Sequence, residues 1–221
     1  MAGNYRYEIV MKIFFALLTA LTLSVISIPA KAAAGCEGTL PAGAERAIDT
    51  ARPDIVLFSA AVRYYANIER CSRGLPPFGP DPQLRSAALG HSLFMARANT
   101  MTHVSNISGR RTLQERMRAS QVSMRTAGEN VAQNFVFAIG GRSISTARRG
   151  TCGFTYADTG QPVPAHSYAS LAQEQVARWM ASPGHRKNLL NGRFNRVETA
   201  LAYAPDKATC GRIYMTQNFA G

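Results

Sequence analysis

The sequence predicts an α+β fold. Apolar residues recur at helical spacing in several separate stretches, β-forming residues cluster at Val131–Phe137, and the C-terminal segments Val197–Ala204 and Arg212–Phe219 alternate with period two. At 221 residues and 46% hydrophobic composition, one domain with a sizeable core is expected.

The chain opens with a secretory pattern. Arg6 and Lys12 precede an apolar run from Ile13 to Ile28, followed by Pro29 and the small-residue stretch Ala30–Ala34. A membrane anchor is the alternative, but Thr19, Thr22, Ser24 and Ser27 dilute a run already short for a bilayer, and no second apolar span follows. Residues 1–34 are therefore read as a signal peptide, for which Met11 would serve equally well as the start. The expected product is secreted or periplasmic, with no transmembrane span in its mature form. A lipoprotein anchored at Cys36 is the minority alternative, because the usual leucine three positions upstream is missing.

Residues 35–53 are rich in Gly, Ala and Pro and read as a linker or irregular arm. The first helix starts at Asp54 after Pro53 and stops at Gly74, with Ile55, Val56, Phe58, Ala61, Val62, Tyr65 and Ile68 at helical spacing. Pro76–Pro80 must cross in extended form, since proline fixes φ and removes backbone donors. Asp81 caps the second helix with Pro82 at its first position, and Leu84, Ala88, His91 and Met95 form one stripe down to about Asn99. On that stripe His91 reads as a core histidine rather than a ligand. A short third helix covers Leu113 to Ser120, and a strand spans Val131–Phe137 after the bend Gly128-Glu129-Asn130, where Asn130 is expected to satisfy backbone groups. Residues 140–165 read as a long surface loop, and His166 as a solvated residue at its end. The fourth helix runs from Ser167 to Ala181 with Ala172, Val176, Trp179 and Met180 inward, and Ser182-Pro183 restarts a helix with His185 in its first turn. The final hairpin turns at Pro205-Asp206-Lys207.

Cys36, Cys71, Cys152 and Cys210 are an even set in a chain bound for an oxidising compartment, and no CxxC pair of zinc-site spacing occurs among them. Two disulfides are expected, with all three pairings open. Removing residues 1–34 leaves 22 basic and 12 acidic residues, a net charge of +10. The arginines are dispersed and no recognition motif accompanies them, so nucleic acid is not an expected partner; anionic envelope polymers or lipid headgroups suit the charge better.

Several motifs then occur in order: Asn67-x-x-Arg70, Gly74-Leu75-Pro76-Pro77, Met101-Thr102-His103, Gly128-Glu129-Asn130, Trp179-x-x-Ser182-Pro183-Gly184-His185-Arg186 and Gln217-Asn218-Phe219. Over about residues 54–219 they resemble the bacterial branch of the CAP superfamily (cysteine-rich secretory, antigen 5 and pathogenesis-related proteins; the SCP domain). The resemblance implies a three-layer α-β-α sandwich with a central antiparallel sheet over residues 54–221. In that fold, neighbouring segments favour the pairings Cys36–Cys71 and Cys152–Cys210. It also implies a groove with two histidines and one or two glutamates, matched by His103, His185 and Glu129. In eukaryotic members a second glutamate lies three residues after the tryptophan; that position here is Ser182, so the acidic set is incomplete. Glu198 and Glu174 are available acids outside the family pattern.

Two imidazoles and a carboxylate could form an open site for a divalent metal such as zinc, and His185 near a helix N-terminus would stay neutral and free to ligate. No cofactor is required by the sequence, and no nucleophile accompanies these residues in a local motif. A non-catalytic module binding an envelope, lipid or protein ligand, through the groove and the basic loop around Arg142, Arg148 and Arg149, is expected ahead of a metal-dependent hydrolase or protease using His103, Glu129 and His185. Carriage of a sterol or fatty ligand is a third class, and a monomer is expected.

Overall fold

The computed structural model describes residues 36, 38–146, 152–206 and 209–221. The expected signal peptide, Arg148, Arg149 and Lys207 lie outside them.

Among the described residues five helices and five strands follow in order: α1 (Ile55–Cys71), α2 (Pro82–Ala98), α3 (Leu113–Ala119), β1 (Ala127–Phe135), β2 (Ile144–Thr146), β3 (Phe154–Tyr156), α4 (Tyr168–Ala181), α5 (Pro183–Leu189), β4 (Arg196–Ala204) and β5 (Arg212–Ala220). The helix starts are set by side chains that satisfy free backbone N–H groups. Asp54 accepts from the Leu57 amide, Asp81 from Gln83 and Leu84, and Ser167 from Ser170. Asn99 ends α2 in the left-handed region at φ 48°, a conformation asparagine tolerates.

The main sheet has the order β1-β5-β4, antiparallel throughout. Alternation along β5 divides the molecule into two sides. Ile213, Met215 and Phe219 join Val197, Leu201 and Ala132 in one core with Phe58 and Val62 of α1 and Leu171, Val176 and Trp179 of α4. On the opposite face Tyr214 packs with Met95 of α2, and Ala220 with Leu84 of α2 and Met117 of α3. Helices thus cover both faces of one antiparallel sheet, the three-layer arrangement. Each large apolar side chain removed from water in these cores contributes roughly 1.5–3 kcal/mol.

Several expectations are corrected. The strand β1 begins at Ala127 rather than Val131, so Gly128, Glu129 and Asn130 lie within it. Gly128 is required there by close approach: a Cβ at this position would stand 2.9 Å from the Phe194 ring. The loop 140–165 contains the small antiparallel hairpin β2–β3, and Arg142 is engaged within it, paired with Asp158 and lying over the Tyr156 ring. His166 is buried, its backbone amide donating to Val136 and its carbonyl accepting from Ile48. The arm through residues 38–53 has no helix or strand, but it lies against the body: Ala44 is buried and its carbonyl accepts from Ala169.

Cys36 and Cys71 form a disulfide, which takes the sulfur that a lipid anchor at Cys36 would use. The second expected pair is Cys152 and Cys210. Their side chains lie in hydrogen-bond contact, so the fold brings these two sulfurs together. In the thiol form, burial and then the contact with Cys152 push the Cys210 pKa up to about 11.

Candidate functional site

The polar residues of β1 divide between the two faces of the sheet. Glu129 points to the α2–α3 side and is buried. Its Oε1 accepts from His103 Nδ1 at 2.9 Å, and its Oε2 accepts from Arg116 Nη2 at 2.7 Å. Asn218, its cross-strand partner on β5, adds a donor to Oε2 at 3.2 Å with the amide nitrogen turned to the carboxylate. Asn130 points to the other face, where its Nδ2 donates to Gln217 Oε1 at 3.0 Å and to the His185 carbonyl at 3.4 Å. Asn188 of α5 completes the tie by donating to Asn130 Oδ1 and to the Glu129 carbonyl. Asn130 thus supports α5 from within the strand, and α5 carries His185 to the same end of the sheet as His103.

The electrostatics of the two imidazoles run in opposite directions. A carboxylate only accepts, so His103 presents Nδ1–H to Glu129 and leaves Nε2 free. That hydrogen bond raises the His103 pKa, partly opposed by desolvation. The His185 pKa is lowered, first by burial and then by the charge of His103. The His103 shift contributes stability below the ordinary value of 6.5, lost as pH rises through its raised value. The His185 shift has the other sign, costing stability as pH falls below 6.5. In His103→Ala the His185 titration midpoint is expected to rise yet remain below 6.5, since the repulsion goes and burial stays. Side-chain NMR titration reads this, and an unchanged midpoint would mean that the two rings do not share a field.

His103, Glu129 and His185 therefore lie at one end of the sheet. Glu198 and Glu174 are engaged elsewhere. Glu198 pairs with Arg63 and Arg85, and Glu174 with Asn134 and Arg178. Glu198 faces Asn218 from the far strand, two strand spacings or about 10 Å from Glu129. Arg116, Asn188 and Asn218 have site roles that sequence reasoning missed. The signal for Arg116 is its place three residues after Leu113 and one before Met117, on the inward side of a short helix.

A cleft of about 240 Å³ opens beside His185, lined by Met101, Val131, Gln133, Trp179 and Ser182. A wider groove of about 690 Å³ lies on the other side of the segment 101–104, with Phe94, Ala98, Thr102, Val104 and Arg111 in its walls. The segment therefore forms a ridge between two depressions, with His103 on it, 55% of its side chain exposed. Met101 and Val104 flank it as exposed apolar residues. Among the described residues no hydroxyl or thiol is hydrogen-bonded to either imidazole, and no group of three His, Cys, Asp or Glu side chains is placed to hold a metal ion. With both Glu129 oxygens occupied, the donors left open are those of the two imidazoles.

A family model described as CAP, the cysteine-rich secretory protein family, matches residues 63–219. The uncharacterized protein YkwD of Bacillus subtilis (strain 168) is 29% identical over 183 residues, covering 82% of this chain and 54% of that protein. The uncharacterized membrane protein YlbC of the same organism is 30% identical over 153 residues, covering 69% of this chain and 31% of that protein. The chain thus spans about half or less of the length of these curated relatives. Among solved structures, an extracellular protein containing an SCP domain from Bacillus anthracis str. Ames is 26% identical, with a TM-score of 0.46, over 74% of this chain and 40% of that one.

Proposed function

The chain belongs to the CAP, or cysteine-rich secretory protein, family, and from that premise we propose that it is an exported, non-catalytic module that binds an envelope, lipid or protein ligand at the His103 ridge. The observation that carries this reading is the full engagement of Glu129. A carboxylate held by Arg116, His103 and Asn218 orients an imidazole; it is not free to act as a general base or to complete a three-donor metal centre. What the ridge offers a ligand is a fixed imidazole Nε2, two exposed apolar side chains and the Arg111 cation, in a protein of strong positive charge. The same ridge suits an amphipathic or anionic partner. No helix among the described residues is long and apolar enough to cross a membrane.

Cosedimentation with cell-envelope fragments and with anionic lipid vesicles, at low and high salt, tests the reading. Retention on at least one is expected, weakened by salt and by Val104→Asp, an exposed substitution that leaves the fold intact. Absence of retention on both overturns it. Thermal unfolding with and without zinc separates the hydrolase reading: a metal bound only to the native state at a hundredfold excess over its Kd adds about 2.7 kcal/mol. No shift is expected, and a raised midpoint abolished by His103→Ala or His185→Ala would make metal-dependent hydrolysis the better reading.

A further inference from the structure

Beneath the ridge, two buried residues that line the same small cavity each carry a polar atom with no hydrogen-bond partner among the described residues. His91 and Arg116 are 0% and 2% exposed, and His91 Nδ1 and Arg116 Nε are the atoms concerned. The cavity between α2 and the segment 105–116 is lined by both residues together with Gly90, Phe94, Ser105 and Ile107.

The chemistry of the two atoms is complementary. His91 Nε2 lies 2.7 Å from the Thr102 carbonyl oxygen, which can only accept, so Nε2 carries the proton. Burial favours the neutral ring, and in the neutral Nε2–H tautomer Nδ1 is an acceptor. Arg116 Nε carries a hydrogen and is a donor. Leaving a buried acceptor and a buried donor unpaired forfeits the hydration each had in water, so both call for a partner. The space open to a water centre is about 10 Å³, close to the roughly 10–15 Å³ that one buried water requires.

We propose that this cavity is a built site for one ordered water, which accepts from Arg116 Nε–H and donates to His91 Nδ1. The water joins two supports of the candidate site. His91 fixes the Thr102 carbonyl, one residue before His103, while Arg116 fixes the Glu129 carboxylate that orients the His103 ring and also donates to the His103 carbonyl at 3.2 Å. His91 is thus a positioning residue for the ridge, acting through the Thr102 backbone on one side and through the water on the other. This inference is independent of which ligand the ridge takes.

A high-resolution crystal structure of the exported protein, together with histidine-selective 15N NMR, tests it. One water within hydrogen-bond distance of both atoms, and an His91 signal of the Nε2–H tautomer, are expected. A dry cavity, a direct contact between the two side chains, or an Nδ1–H signal for His91 overturns the proposal. Arg116→Lys removes the Nε–H while keeping a cation for Glu129, and the water is expected to lose its occupancy there. A water unmoved by that change would overturn the assignment of Arg116 as its donor. Failure of the envelope and vesicle experiments would leave each of these readouts unaffected, so the two inferences fail separately.

Discussion

Arg70→Ala is expected to destabilise the protein by about 3–5 kcal/mol, because four backbone carbonyls lose a charged donor at roughly 1–3 kcal/mol for each that water does not reach. Arg70 is 1% exposed and has no carboxylate partner among the described residues; its guanidinium is spent on backbone carbonyls. Nε donates to Pro76 at 2.8 Å, Nη1 to Leu189 at 2.9 Å and Asn191 at 3.1 Å, and Nη2 to Phe194 at 3.2 Å. The same group lies over the Phe78 ring, 3.8 Å from its centroid. One side chain of α1 therefore holds the proline crossing and the α5–β4 connection, neither of which has a ladder of its own to satisfy those carbonyls. Burial pushes its pKa down to about 10, which leaves it charged at neutral pH. Thermal unfolding should show the loss as a midpoint lowered by about 10 °C, at roughly 2–4 °C per kcal/mol for a protein of this size. Arg70→Lys should fall between, because an ammonium cannot reach carbonyls in several directions through a planar fork. A loss below about 1 kcal/mol in the alanine variant would mean that water replaces the guanidinium freely and that the packing argument is wrong.

The sequence carried much of this arrangement, and the failures have physical causes. Helix starts at Asp54, Asp81-Pro82 and Ser167 were legible because a cap and a 3.6-residue stripe agree there, whereas α5 is marked by Pro183 at its first position, since the Ser182 side chain makes no capping bond. The start of β1 was not, because Glu129 and Asn130 are buried polar residues on opposite faces, and period-two hydrophobicity cannot register a strand polar on both sides. The hairpin β2–β3 is two strands of three residues within a Gly- and Ser-rich stretch, too short for any periodicity to appear. His166 looked solvated because its cover comes from far along the chain, with Ile48 of the arm bonded to its carbonyl. Arg116 was hidden for a similar reason: its place beside Met117 marks it as inward, but the carboxylate it pairs with belongs to β1 and is not named by anything in the helix.

The second large effect is expected at Glu198, a residue whose type invites a site role and whose surroundings assign it to the fold. It is 1% exposed and is met from two elements, α1 and the start of α2. Ser59 Oγ of α1 donates to Oε2 at 2.5 Å, Arg63 of α1 to Oε1 at 3.1 Å, Arg85 of α2 to Oε2 at 3.3 Å, and the Asp81 amide to Oε1 at 2.9 Å. The carboxylate thus pins α1 and the start of α2 to β4. Its counterpart Glu129 does the same for α3 and the ridge on the other side of Asn218, so the α2 face of the sheet carries two buried anions, each balanced by its own arginine or pair of arginines. Removing either anion leaves its arginines facing a low-dielectric interior. Arg63 already has its pKa lowered, by burial first, and Glu198 is what opposes that shift. Glu198→Ala should therefore cost about 3 kcal/mol, the lower end for a broken buried pair, because Arg63 and Arg85 remain 18% and 23% exposed and can recover part of their hydration. Chemical denaturation measures the loss, and retention on envelope fragments or vesicles measures the ridge at a temperature where the variant is still folded. Lost stability with retained binding is the expected pair of results. Lost binding in a variant of unchanged stability would move Glu198 into the site and contradict its placement here.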